Sequence, residues 1–115
     1  MTKVYFGFAI ADSMLPDECD IMKSSLNVEE AKAAIAGAVP CINKSHKATI
    51  DAMKERFGIE VEIPNDPPSV SLDFEDVLIV MSVRGLPRLT GGHYSEKEIS
   101  EATFKFSYYK VKCLM

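Results

Sequence analysis

Tryptophan is absent from the 115 residues, histidine occurs twice and cysteine three times. Cys19, Cys41 and Cys113 are odd in number, widely spaced and outside any C-x-x-C or Cys/His cluster. That excludes a disulfide framework and predicts reduced thiols used as filler, in an intracellular protein. Positive charge is in deficit, with 13 Lys and Arg against 17 Asp and Glu and a formal net charge of −4. Duplex nucleic-acid binders usually carry a basic stripe, so duplex binding is not expected here. A small anion held by a few converging cations remains compatible with this charge, because it needs only local positive potential. Long hydrophobic runs are also missing. The opening MTKVYFGFAIADSMLPDE has an apolar stretch of about six residues, too short for a signal peptide or a membrane span. The expected setting is therefore the cytoplasm, with no membrane partner. No repeat, low-complexity tract, linker, G-x-S-x-G or Walker sequence is present.

What is there reads as one globular domain over residues 1–115, with 47% hydrophobic and 26% charged residues and enough chain to bury a core. KVYFGFAI (3–10) is expected as a buried strand and ADSMLPDECD as turn, with a second short strand at 21–25. NVEEAKAAIAG (27–37) predicts a short helix capped by Asn27, with Glu29 and Glu30 in its first turn and Gly37 at its stop. NKSHKATIDAMKERFG carries Ile50, Met53 and Phe57 at helical spacing, Lys54 and Arg56 in the last turn and Gly58 as terminator. It predicts the clearest helix, beginning at Ser45 and His46. IEVEI (59–63) alternates as a half-buried strand does, and NDPPS (65–69) is loop. VLIVMSV (77–83) predicts a strand covered on both faces. SEKEISEA (95–102) has the capping-box pair Ser95 and Glu98, and TFKFSYYKVKC (103–113) closes the chain as a strand. This order predicts an α+β (α/β-like) fold, a mixed sheet of about five strands flanked by helices.

Chemistry concentrates at two places. RGLPRLTGGH (84–93) sets Arg84, Arg88 and His93 in a Pro/Gly-rich loop off a buried strand. Arginine binds phosphate oxygens in bidentate fashion, and Gly91 and Gly92 let backbone approach a ligand closely. A solvated turn with one arginine paired to a carboxylate reads the same residues. His46 falls in the first turn of the best helix, where free N–H groups favour an anion and an imidazole is able to protonate a phosphate ester oxygen. A solvent-facing helix-start histidine is the plain alternative. Neither histidine has a carboxylate or thiolate at ligand spacing, so no metal and no other cofactor is expected.

K-V-Y-F-…-S-M-L at 3–15, S-H-K-A-T-I at 45–50, V-L-I-V-M-S-V-R-G-L-P-R-L at 77–89 and the closing S-x-K-E-I…F-x-x-Y-K-V follow one another in an order and spacing that resembles a known family. It is that of the small viral type III anti-CRISPR ring nucleases, formerly a domain of unknown function, found in archaeal viruses, phages, plasmids and bacterial genomes. The resemblance covers nearly the whole chain, and R-G-L-P-R-L is its most specific part. It implies a homodimer holding cyclic tetra-adenylate, the second messenger of type III CRISPR defence, between its subunits. It further implies metal-independent cleavage, in which a ribose 2′-hydroxyl attacks the adjacent phosphate and leaves 2′,3′-cyclic phosphate ends. By this resemblance His46 corresponds to the general acid and Arg88 to the phosphate-stabilising arginine. Arg84 and Ser45 would be supporting contacts.

The chain also departs from the family pattern. Gly91 stands where the family has a glutamate that orients or activates the attacking hydroxyl. Phe8 and Ala11 replace polar Asn and Ser ligand contacts, leaving Asp12 and Ser13 as the nearby polar groups, and Ser45 replaces a glycine. Losing such a base or positioning group costs about 10²–10⁴-fold in rate. His93 is the candidate substitute base and Glu96 a weaker one. A sponge that sequesters a cyclic nucleotide without cutting it, a different ring size or messenger, and a protein-binding anti-defence factor are the alternative readings.

Overall fold

The computed structural model describes residues 2–86 and 94–114. Five strands form one mixed sheet in the order β2-β5-β4-β1-β3. They are β1 (Val4–Gly7), β2 (Asp20–Leu26), β3 (Val39–Pro40), β4 (Val77–Arg84) and β5 (Thr103–Lys112). β1 runs parallel to both β3 and β4, whereas β5 is antiparallel to β4 and β2. Among the described residues three α-helices pack with the sheet: α1 (Val28–Ala36), α2 (Lys47–Phe57) and α3 (Glu96–Glu101). The α+β class expected from the pattern is the one observed.

The helix ends follow local chemistry. Asn27 and Ser95 each accept an N–H from the residue three positions on, and Glu30 and Glu98 reach back to close the two capping boxes. At the end of α2, Gly58 adopts φ +71° and donates its N–H to the Lys54 carbonyl at 2.8 Å. That left-handed conformation is open to glycine without the Cβ penalty other residues meet.

The sheet's alternation sorts its side chains into two cores. On the first face, Phe6, Ile79, Met81 and Phe106 pack against Ile35 of α1 and Met53 of α2. On the second, Leu78, Val80 and Val111 lie under Leu72, with Met14 and Leu15 beside them. β4 therefore buries Val77–Met81 on both sides, as its unbroken apolar run predicts. Each large side chain so buried contributes about 1.5–3 kcal/mol. Farther along the second face the cover ends. Ser82 opposite Lys105, and Arg84 opposite Thr103, are all exposed.

Three expectations are corrected. Residues 59–63 are not a strand, although burial does alternate there. Ile59, Val61 and Ile63 lie on the first core without joining a ladder, so the period reports one-sided burial rather than pairing. The fifth strand is instead β3, at the Pro40 break. It is a sheet edge, where a missing N–H does no harm, and Cys41 continues the pairing through an N–H bond to the Phe6 carbonyl at 2.8 Å. Finally, α2 starts at Lys47, preceded by a 3-10 turn over Lys44–His46, so Ser45 and His46 belong to the turn rather than to the helix proper.

Candidate functional site

The parallel strands β1 and β3 both end at one edge of a recess of about 210 Å³, whose wall includes Gly7, Phe8, Met14, Cys41, Asn43 and His46. Carboxyl ends of parallel strands are where α/β sheets generally place ligands, because the loops leaving them diverge.

Local chemistry shapes the rim that carries His46. Asn43 caps the 3-10 turn: its side-chain oxygen accepts the Ser45 N–H at 2.9 Å and the Ser45 hydroxyl as well. Its carbonyl accepts the His46 N–H at 3.1 Å. His46 thus becomes the N-cap residue of α2, at the end of an 11-residue helix whose first N–H groups have no intrahelical partner. It makes no side-chain capping bond. Its ring meets the Phe8 ring edge to face, with centroids 4.7 Å apart and planes at 79°. Phe8 in turn packs edge to face on the buried Phe6 at 5.9 Å. Cys41, on the same wall, has its thiol pushed up in pKa by burial, with Sγ 3.5 Å from the Val39 carbonyl oxygen. The arrangement presents one half-buried imidazole beside an apolar-walled recess, suited to donating or taking a proton at a bound group.

The other sequence candidates divide into three sets. Ser45 is adjacent to His46, but its N–H and hydroxyl are both directed to Asn43. Asp12 and Ser13 sit on a 3-10 turn following β1 (Asp12–Met14); Met14 of that turn faces the recess, while Asp12 and Ser13 are exposed. Arg84 ends β4, four residues beyond Val80, the partner of Gly7. It therefore lies at the same end of the sheet as the recess without lining it. Gly85 then turns the chain at φ +92°. Arg88, Gly91, Gly92 and His93 lie outside the described residues. Glu96, the first residue of α3, lines a separate groove with Glu55 and Arg56.

Sequence reasoning missed Asn43 and Cys41 as site residues. Asn43 had a readable signal, an Asx residue just before a helix start, where its side chain mimics a turn. Cys41 had none, since a lone cysteine after a proline carries no pattern. Arg56 was read only as a last-turn cation. It donates to the carbonyl oxygens of Ile99, at 2.8 Å, and of Ala102, and so holds the end of α3. Among the described residues no group of three His, Cys, Asp or Glu converges as a metal site, and no helix is long and apolar enough to cross a membrane.

No family model and no curated protein matches this chain. Among solved structures, B116 of Sulfolobus turreted icosahedral virus is similar at a TM-score of 0.68 and 19% identity, over 94% of this chain and 98% of that one. The likeness is one of fold.

Proposed function

We propose that the protein binds a cyclic oligoadenylate, cyclic tetra-adenylate first among them, between two copies of itself and cleaves it without a metal, so silencing type III CRISPR signalling. The observation that carries this reading is the place of His46: a half-buried imidazole at the start of α2, on the rim of a recess at the strand ends. The sequence resemblance assigns the general acid to that position. The fold shared with a viral protein is compatible with the reading.

In the reaction, a ribose 2′-oxygen attacks the adjacent phosphorus, and the new P–O2′ bond forms as the P–O5′ bond breaks. His46 gives its proton to the departing 5′-oxygen, since an alkoxide is a poor leaving group unless protonated. Arg88 offsets the charge that grows on the phosphoryl oxygens, a role a bidentate guanidinium fills well. Arg84 adds positive potential from the end of β4. The proton of the attacking hydroxyl passes to His93, in place of the family glutamate. Two-fold symmetry would double this small set of cations around one ring, so an acidic protein needs no basic surface to hold it.

The test uses purified protein in molar excess over labelled cyclic tetra-adenylate, in EDTA, with products separated over time. Linear products with 2′,3′-cyclic phosphate ends, absent with His46→Ala, support the assignment. A ring that is bound but stays intact points to a sponge, which the apolar Phe8 and Ala11 at two polar family positions favour as second reading. No binding of any cyclic oligoadenylate points to a protein-binding factor.

A further inference from the structure

A histidine that transfers protons needs its ring held in one orientation. The usual device is a hydrogen bond from the second ring nitrogen to a carboxylate or carbonyl. Among the described residues His46 has no such bond: it forms no side-chain cap, and no other hydrogen bond of its imidazole is made there. What meets the ring is Phe8, edge to face at 4.7 Å. Phe8 is itself braced on Phe6 at 5.9 Å and 82°, and Phe6 has no exposed surface at all. Three aromatic rings thus run from the buried core of the sheet to the rim of the recess.

The geometry points to Phe8 as the positioning residue of His46, fixing the imidazole by ring packing where other sites use a hydrogen-bonded acid. Two features argue for this role over simple filling. Phe8 directly follows the last residue of β1 and packs against the first core, so its ring is held from the side away from the recess. The contact is also perpendicular, at 79°, the arrangement in which a ring edge meets a π-face and the pair gains about 0.5–1.5 kcal/mol beyond burial. Such a preference acts on the tilt of the imidazole plane, because it weakens when that plane leaves the perpendicular. A polar residue at this position would give a ligand contact but no such brace. This role rests on the reading of His46 as general acid.

The test compares the unaltered protein with Phe8→Leu, which keeps apolar volume but removes the ring, and Phe8→Tyr, which keeps the ring. Two readouts are taken on the whole protein. The first is single-turnover cleavage of cyclic tetra-adenylate beside its dissociation constant. The second is the NMR spectrum of ¹³C-labelled histidine, with the His46 signals assigned through His46→Gln. Phe8→Leu should slow cleavage about tenfold with the dissociation constant changed less than about threefold. Phe8→Tyr should restore the rate. The His46 ring protons should lose their Phe8 ring-current displacement in Phe8→Leu and keep it in Phe8→Tyr. Cleavage by Phe8→Leu at the full rate, or a loss of rate that only tracks a loss of affinity, overturns the positioning role. So does a His46 spectrum that is the same with and without the Phe8 ring. If the unaltered protein cuts no ring, the nuclease reading falls and the positioning role with it, whereas an unchanged His46 spectrum in Phe8→Leu overturns the ring contact itself.

Discussion

The Asp76 carboxylate, 2% exposed, accepts the backbone N–H of Lys3 at 2.8 Å through one oxygen and that of Asp73 at 2.9 Å through the other. It ties the entry of β1 to the entry of β4, the two parallel strands at the centre of the sheet. Burial pushes this carboxyl up, but the two N–H donors and the nearby Lys3 charge outweigh it, and the group is held below the usual carboxylate range.

Asp76→Ala strands both N–H groups in a buried place, and should cost about 1–3 kcal/mol in urea unfolding at pH 7. The sign of the pH dependence follows from the lowered pKa. The carboxylate's contribution is complete above the unfolded value of about 4, and is lost as pH falls through the lower folded value. The stability gap between the unaltered protein and Asp76→Ala should therefore narrow in acid. A gap that widens below about pH 4 would contradict the assignment.

Arg56 is the clasp between α2 and α3. Its guanidinium bonds to two carbonyls at the end of α3 and lies over the Phe57 and Phe104 rings, at 5.4 and 5.5 Å. Arg56→Ala should cost about 1–3 kcal/mol. Arg56→Lys should recover only part of it, because an ammonium has no planar face to stack on the Phe57 and Phe104 rings. Thermal unfolding of the three proteins, with amide exchange over residues 96–102, reads the difference.

At Gly58 the backbone and not the space is limiting. A Cβ there would meet only the Lys32 Nζ, at 3.7 Å, yet φ is +71°. Gly58→Ala should therefore cost about 1–2 kcal/mol. Gly58→Asn should cost less, since asparagine tolerates the left-handed region. Equal stabilities in denaturant titration would show that the helix end relaxes to another conformation.

Asn43→Ala removes the acceptor that shapes the turn beneath His46. Loss of such a cap costs about 0.5–2 kcal/mol in stability. Under the proposed function, cleavage should also fall by about tenfold as the imidazole drifts. Asn43→Asp, which keeps an acceptor oxygen, should restore most of both. Stability and cleavage measured on the same preparations separate the two effects.

Much of this was readable along the chain. The Asn27 cap, the Ser95–Glu98 capping box, the Gly58 stop and the doubly buried β4 all appear where the pattern puts them. Each depends on chemistry within a few residues, or on burial of one continuous run. The alternation at 59–63 misled because a period of two reports which side is buried, not whether a neighbouring strand is present. β3 was unreadable for the opposite reason. Two residues cannot display a period, and its strand character comes wholly from pairing with Tyr5 and Phe6.

The same division runs through the candidate site. Sequence alone determined that an imidazole stands at the start of the second long helix, and that cations and glycines follow β4, because helix starts and strand ends are local events. Only the tertiary structure decided that Phe8 meets His46 and that Asn43 and Cys41 share its recess. Those relations depend on parallel pairing of β1 with β3 and β4. Parallel strands are joined through distant crossovers, so no stretch of sequence carries the signal of which side chains their ends will bring together.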